Sequence, residues 1–543
     1  MTAVLAPRRE RAGRVDAVAW ALGGVFLACA IWFVLATSVG WTHSLSDAHG
    51  FRQSQTALTT YYLLKGGPLL RYETPVLGAP WSIPFEFPLF QWLVARAARL
   101  TGMPLPAAGR LVSEVFFLAT LLALVSLLGR FHVRPVHRLV FVALLLVSPE
   151  YVFWSRAFMI ESTALCFSVV YLDLTLRHGE TGKPATAVLA CLVGALAGLV
   201  KVTTFAVFLA MAAIWFAWAT GRAWRGAGLS RELVRRAALP ALLCFALPVL
   251  AVAGWTHFAD AVKRENILGL RLTSEMLRPF NFGTLAMRFQ ADTWRVLLTR
   301  TVPDVAGHLA PCLLAGVAVW WTGRRRALYL LSILGFLGGI LIFTNLHVVH
   351  DYYAYATGIF LVGAVAWGVV SLLEGPGPWS RAAALALLGV ALTVSVHQYY
   401  RRFYPIQATN HTGMPRLAAA VAGVTAPDAV VLGYGLTWSS ELPFYAERRA
   451  LIWPPWMDQG LGGPDFQRAL RDTGVDRIGS LVLCAYRPDQ DIPGVSERYR
   501  PGPDPERWLA EITRRLGLDP RPTHADEHCA VFARGNVGST GSP

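Results

Sequence analysis

The sequence predicts an all-α polytopic membrane protein of about eleven transmembrane helices with a small C-terminal α/β domain. Three observations predict it. Hydrophobic residues make up 54% of the chain and charged residues 15%, with a mean hydropathy of +0.44. Apolar runs long enough to cross roughly 30 Å of hydrocarbon recur along the chain. They fall at about 17–41, 110–129, 138–154, 162–176, 185–200, 203–220, 237–257, 306–322, 327–344, 353–373 and 381–398. After residue 399 the long runs stop. Short strand-like runs, DAVVLGYG and GSLVLCAY, then alternate with helical stretches such as PRLAAAVAGV and DPERWLAEITRRLGL, the pattern of a small α/β domain.

Taken in order, residues 1–16 form a basic cytoplasmic tail and 17–398 a transmembrane domain with two long outer loops, 42–109 and 258–305. The first apolar run exceeds a signal peptide's core of about 7–15 residues and lacks a small-residue cleavage site, so it is expected to persist as a helix. The runs at 138–154 and 162–176 are short for spans. Segment 258–305 sets Leu, Met, Phe and Trp between Arg and Lys at near-helical spacing, which predicts a helix lying in the membrane interface. Residues 399–543 are the C-terminal α/β domain, whose last ten residues, rich in Gly, Ser and Thr, read as frayed.

The basic residues orient the chain. Those before the first span and on the same side of it by alternation number 18, from Arg8 to Arg381, against Arg156 and Lys201 alone on the short opposite turns. The positive-inside rule then puts the N-terminus in the cytoplasm and the long loops and C-terminal domain outside a cell membrane. The net charge of +15 is dispersed over loops rather than gathered on one face, which argues against nucleic acid as a partner. The short inner loops carry no Walker sequence and no GxGxxG fingerprint, so the chemistry is expected outside and without ATP. Cys29, Cys166, Cys191, Cys244 and Cys312 lie in apolar runs and read as packing residues. Cys484 and Cys529 share the outer region, where they either pair as a disulfide or remain two buried thiols; pairing is the expectation.

Four outer elements carry candidate chemistry. In Asp47-Ala-His49-Gly-Phe-Arg52-Gln53, Asp47 is suited to take a proton from a hydroxyl, and Arg52 to balance a phosphate or a carboxylate. Glu86, amid rings and prolines, must be paired, hydrated or protonated. It either orients an acceptor, shares a metal with His49, tunes Asp47, or bridges to Arg52 or Arg71. Arg156 and Glu161 lie on a short turn, as a structural pair or as cavity groups, and Lys201, without an acid near it in sequence, points to an anionic ligand or to lipid snorkelling. Finally, His347, His350, Tyr352 and Tyr353 open a late span and offer hydrogen bonds to phosphate or stacking for a sugar.

Together these motifs resemble the GT-C class of polyprenyl-phosphate-sugar-dependent glycosyltransferases, in its bacterial protein-mannosyltransferase-like branch with the lipid A aminoarabinose transferase. Asp47 matches that group's catalytic acid, with Ala48 where a second acid is usual. Glu86-Phe87-Pro88-Leu89 resembles the branch's Glu-Lys-Pro-Pro-Leu motif, with Phe for Lys and one residue fewer. Arg156 to Glu161 resembles the Arg…Met-acid turn, Leu199-Val-Lys201 the donor-phosphate Leu-x-Lys motif, and His350-Asp-Tyr352-Tyr353 the basic-x-Tyr-Tyr motif. The likeness covers roughly residues 15–400. It implies transfer of one sugar, with inversion, from a polyprenyl phosphate to a glycan, lipid or protein acceptor outside the membrane. Asp47 and Glu86 would be the catalytic acids. Arg52, Arg156, Lys201, His350, Tyr352 and Tyr353 would hold the donor phosphate, with His49, Glu161 and His347 in support. No cofactor is required; a divalent metal on His49 and Glu86 is an option. A transporter of lipid-linked sugars is the rival reading, although the paired half-helices and internal repeats that transporters use are absent from the sequence.

Overall fold

The computed structural model describes residues 17–227, 237–454, 457, 463–484, 505–526 and 528–534. Its N-terminal two-thirds is helical. Helix α1 (Ala17–Ser38) leads into a loop over 39–49, then α2 (Gly50–Leu64), a long loop over 65–88, α3 (Leu89–Thr101), α4 (Leu105–Arg130), α5 (Pro135–Val147), α6 (Pro149–Trp154), α7 (Glu161–Thr181), α8 (Pro184–Val200) and α9 (Val202–Ala227). Prolines at the first turn start α5, α6 and α8, where a missing N–H costs nothing. Gly102 and Gly182, both in the left-handed region, end α3 and α7.

The helix Ala354–Leu373 is buried along its whole length and forms the axis of the bundle, packed by helices 309–322, 326–342 and 377–398 and by α5. Peripheral helices instead expose apolar side chains, as α1 does with Trp20, Leu27, Ile31, Val34 and Leu35. A helix that is apolar all round and bare on its outer face is built for lipid.

The expected count of eleven spans is neither confirmed nor overturned by helix length. Among the described residues six helical stretches are long and apolar enough to cross a membrane, or seven if the pair 291–306 and 309–322, bent by 79°, is one span. Each expected span does fall on helix, but Pro149 breaks the 138–154 run into α5 and α6, and the helices at 184–200 and 326–342 have only 17 residues each. The helix of the 237–257 run continues to Lys263. Beyond it the expected interfacial helix is broken into short helical pieces, 269–272, 278–282 and 286–289, and a longer stretch over 291–306, with Pro279 starting the second piece and Gly283, at a φ of 64°, ending it. Residues 276–289 still expose Met276, Phe280, Phe282, Leu285 and Phe289.

At the C-terminal end, the helix from Gly377 runs on through 399–403 to Ala408 before the α/β unit begins. Five strands, β1 (Val430–Tyr434), β2 (Arg449–Trp453), β3 (Ile478–Cys484), β4 (His524–Ala525) and β5 (Cys529–Ala533), form one sheet in the order β2-β1-β3-β5-β4. β1 is parallel to β2 and β3, whereas β5 is antiparallel to β3 and β4. Cys484 and Cys529 face each other across the β3–β5 pair and are disulfide-bonded. The outer edge of β2 is covered by the long loop after α2. Ala450 N–H donates to Pro75 O at 3.0 Å, Ile452 N–H to Val76 O at 2.7 Å, and Gly78 N–H to Ala450 O at 3.0 Å. Arg449 adds a forked bridge to Glu73 of that loop.

Candidate active site

The loop between α1 and α2 is held as a rigid platform. Arg110 of α4, fully buried, donates to three of its carbonyls: Trp41 O at 2.6 Å, His43 O at 2.8 Å and Ser44 O at 3.1 Å. From the other side, Ser44 N–H donates to Asn410 Oδ1 at 3.1 Å and the Tyr445 hydroxyl receives the N–H of Leu45. Asp47 therefore leaves a fixed backbone. The Gln53 amide donates to its carboxylate and, at 3.0 Å, to Ala48 O, while Gln53 Oε1 accepts the N–H of Phe158 at 3.1 Å. Burial raises the Asp47 pKa above the usual aspartate value, opposed by Arg110 and Arg156.

Arg156 belongs to this platform. It donates to Gly40 O at 2.9 Å, and burial together with Arg110 draws its pKa down to about 10. Of the two readings of the 156–161 turn, the Arg156–Glu161 pair is not formed: Arg156 bonds Gly40 O and Glu161 bonds Lys201.

Glu161, the first residue of α7, meets Lys201 instead. Lys201 stands in extended backbone at the break between α8 and α9, which carries its ammonium group inward. There it lies 4.3 Å above the Tyr353 ring and 5.2 Å above that of Tyr352. Lys201 has no acid near it in sequence, and its partner comes from 40 positions away. Arg52 pairs with Glu86 and, at 2.8 Å, donates to Gln55 Oε1. Arg71 is held by Glu265 and takes no part. Arg52 also lies within electrostatic reach of Glu161 and beside Tyr352 and Tyr353, and Lys201 within reach of Arg52 and Glu86. Arg52, Glu86, Glu161, Lys201, Tyr352 and Tyr353 therefore form one cluster, adjoined by a small polar pocket lined by Gln55, Thr56, Thr59, Tyr72, Thr74 and Gln91.

His49 joins the two parts. It caps α2 in the left-handed region at a φ of 51°, and its ring packs on His350 and Tyr352. Its Nε2 meets Asp351 Oδ1 at 2.8 Å; Asp351 binds Arg402 at 3.0 Å, which binds Asp304 at 2.8 Å. Burial and the neighbouring His49 push the His350 pKa down to about 3, which suits it to hydrogen bonding rather than to carrying charge. It is a neutral hydrogen-bonding ring. His347 is likewise neutral, its pKa lowered to about 4 by burial, with Nδ1–H donating to Phe343 O at 3.0 Å. The suggested metal ligands are engaged elsewhere, His49 with Asp351 and Glu86 with Arg52. Among the described residues no group of three or more His, Cys, Asp or Glu is placed to hold a metal ion.

Sequence reasoning missed Arg110, Asp351, Arg402, Asp304 and the wholly buried Glu150, whose carboxylate oxygens have no hydrogen-bond partner. A charge inside an apolar run was the available signal for Arg110 and Glu150. For Arg402 and Asp304, more than 90 residues apart, there was none.

No family model matches the chain, and no curated protein matches it in sequence. Solved structures do. ArnT from Cupriavidus metallidurans bound to undecaprenyl phosphate superposes with a TM-score of 0.57 at 15% identity, covering 97% of this chain and 100% of that one. The archaeal oligosaccharyltransferase AglB from Archaeoglobus fulgidus, in complex with an inhibitory peptide and a dolichol-phosphate, gives 0.56 at 11% identity, covering 86% of this chain and 69% of that one. This chain shares its fold with ArnT and with the oligosaccharyltransferase AglB.

Proposed function

We propose that the protein is a membrane glycosyltransferase that moves a single sugar, with inversion, from a polyprenyl-phosphate donor to an acceptor outside the cytoplasm. The observation that carries this reading is a buried carboxylate, Asp47, two residues from the His49 ring that packs on Tyr352 of a buried cation–tyrosine cluster. Its support is a fold shared over nearly the whole chain with a structure that binds undecaprenyl phosphate. The same neighbours lend no support to a transporter.

In this mechanism Asp47 takes the proton of the acceptor hydroxyl as its oxygen attacks the anomeric carbon. The bond from that carbon to the phosphate oxygen breaks, and its electron pair leaves with the polyprenyl phosphate. Lys201 and Arg52 neutralise the departing charge, and the Tyr352 and Tyr353 hydroxyls and the neutral His350 ring donate hydrogen bonds. Before donor arrives, Glu161 and Glu86 compensate the two cations, which would otherwise be buried and unpaired. Arg156 supports Asp47 rather than the phosphate. All of these groups are side chains of the protein, so transfer is expected to survive a metal chelator.

The test is transfer of labelled sugar from a panel of undecaprenyl-phosphate-linked donors by purified protein in nanodiscs. Release of undecaprenyl phosphate by the native chain and its loss in Asp47→Asn support the reading. Movement of the donor between leaflets without cleavage refutes it.

A further inference from the structure

The C-terminal domain does more than stand beside the platform. Helix 441–446 begins with Glu441, whose carboxylate accepts the Ser439 hydroxyl at 3.1 Å through one oxygen. Its other oxygen packs against Gly50, the first residue of α2 and three positions after Asp47, so closely that a β-carbon there would come within 2.7 Å of it. A negative charge at the start of a 15-residue helix is well placed to stay there. The same approach brings a second acid toward Asp47. The charged and titratable groups facing the two are Arg110 from α4, Arg156 from the α6–α7 turn, and His411 and Tyr445 from the C-terminal segment. Both arginines spend hydrogen bonds on backbone carbonyls of the loop rather than on either acid.

We propose that Glu441 is a positioning residue that acts through Asp47: its carboxyl group, delivered by the C-terminal domain, strengthens Asp47 as a base and turns away anionic acceptors. The inference rests on the reading of Asp47 as the base. It narrows the acceptor class to a neutral hydroxyl, because a phosphate nucleophile has no need of a base and is repelled by two carboxyl groups. Burial raises the Glu441 pKa, and the Asp47 charge raises it further, the direction expected of a coupled pair.

Infrared titration of the carboxyl bands in the full-length protein in nanodiscs tests the pair without substrate. In Asp47→Asn the Glu441 midpoint should fall by on the order of 1 pH unit, and in Glu441→Gln the Asp47 midpoint should fall by a similar amount. Gly50→Ala keeps both acids but displaces the Glu441 carboxyl group, and should give part of the same shift. A helix-capping role alone predicts unchanged midpoints in the partner acid, and that result would overturn the proposal. Thermal stabilisation of the native chain by undecaprenyl phosphate is read separately. If it is absent, the transferase reading fails, while the coupling still stands or falls on the titration.

Discussion

The Asp47 platform and the Lys201 cluster solve one problem in opposite ways. Around Asp47 the arginines are satisfied by backbone carbonyls, and the carboxylate is steered by the neutral amide of Gln53. Around Lys201 the cations are satisfied by carboxylates, side chain to side chain. A carbonyl clamp fixes position and does not yield to a ligand. An ion pair compensates charge and can be exchanged for a phosphate. The first arrangement suits a group that must be aimed, and the second suits groups that must bind and release an anion.

The largest effect should come from the aimed group. Asp47→Asn removes the base while keeping its shape, and is expected to lower transfer by about 10²–10⁴-fold with little change in donor affinity. A parallel loss of undecaprenyl-phosphate binding would erase the division between the two regions. The activity of the native chain should also decline as pH falls through a midpoint above the ordinary aspartate value, because the ionised form is the active one and burial raises its pKa. A pH–rate profile checks this.

Next is Lys201→Met, which leaves Glu161 buried without its partner and should cost about 3–5 kcal/mol of stability. Thermal unfolding of Lys201→Met and of the double variant with Glu161→Gln sharpens the point. The double variant should regain most of the stability and none of the donor binding. Replacing Cys484 and Cys529 by serine should cost the C-terminal domain about 2–4 kcal/mol and disturb the Asp47 platform, which that domain buttresses, more than the Lys201 cluster. Hydrogen exchange at both regions would measure the difference. The smallest effect should be that of Gln53→Leu. It removes the hydrogen bonds that aim Asp47 and should lower kcat by about 1–3 kcal/mol of barrier, with KM for donor held.

The helical class, strands β1 and β3 of the C-terminal sheet and most of the cluster were legible in the sequence, because each rests on local pattern: apolar run length, strand-like alternation, or an acid or cation stranded in apolar surroundings; β2, β4 and β5 were not. Lys201 and Glu161 were both singled out, yet not as partners. Their pairing depends on how α7 packs against the α8–α9 break, and nothing in either stretch encodes that. The difference between the eleven expected spans and the six or seven long apolar helices has a related cause. Run length does not register that Pro149 breaks a helix or that the bend between 306 and 309 turns one run aside. Glu441 was invisible because it reaches the site from the far end of the chain.

The pairing of residues 75–78 with β2 bears on how this molecule can be cut. A strand whose outer margin is already occupied by its own chain has no free backbone to offer a neighbour. Excising the membrane portion to obtain the C-terminal domain alone would bare that margin, leaving a row of vacant donors and acceptors along Arg449–Trp453. The isolated fragment should self-associate edge to edge, and a soluble version will need a charge or proline on β2.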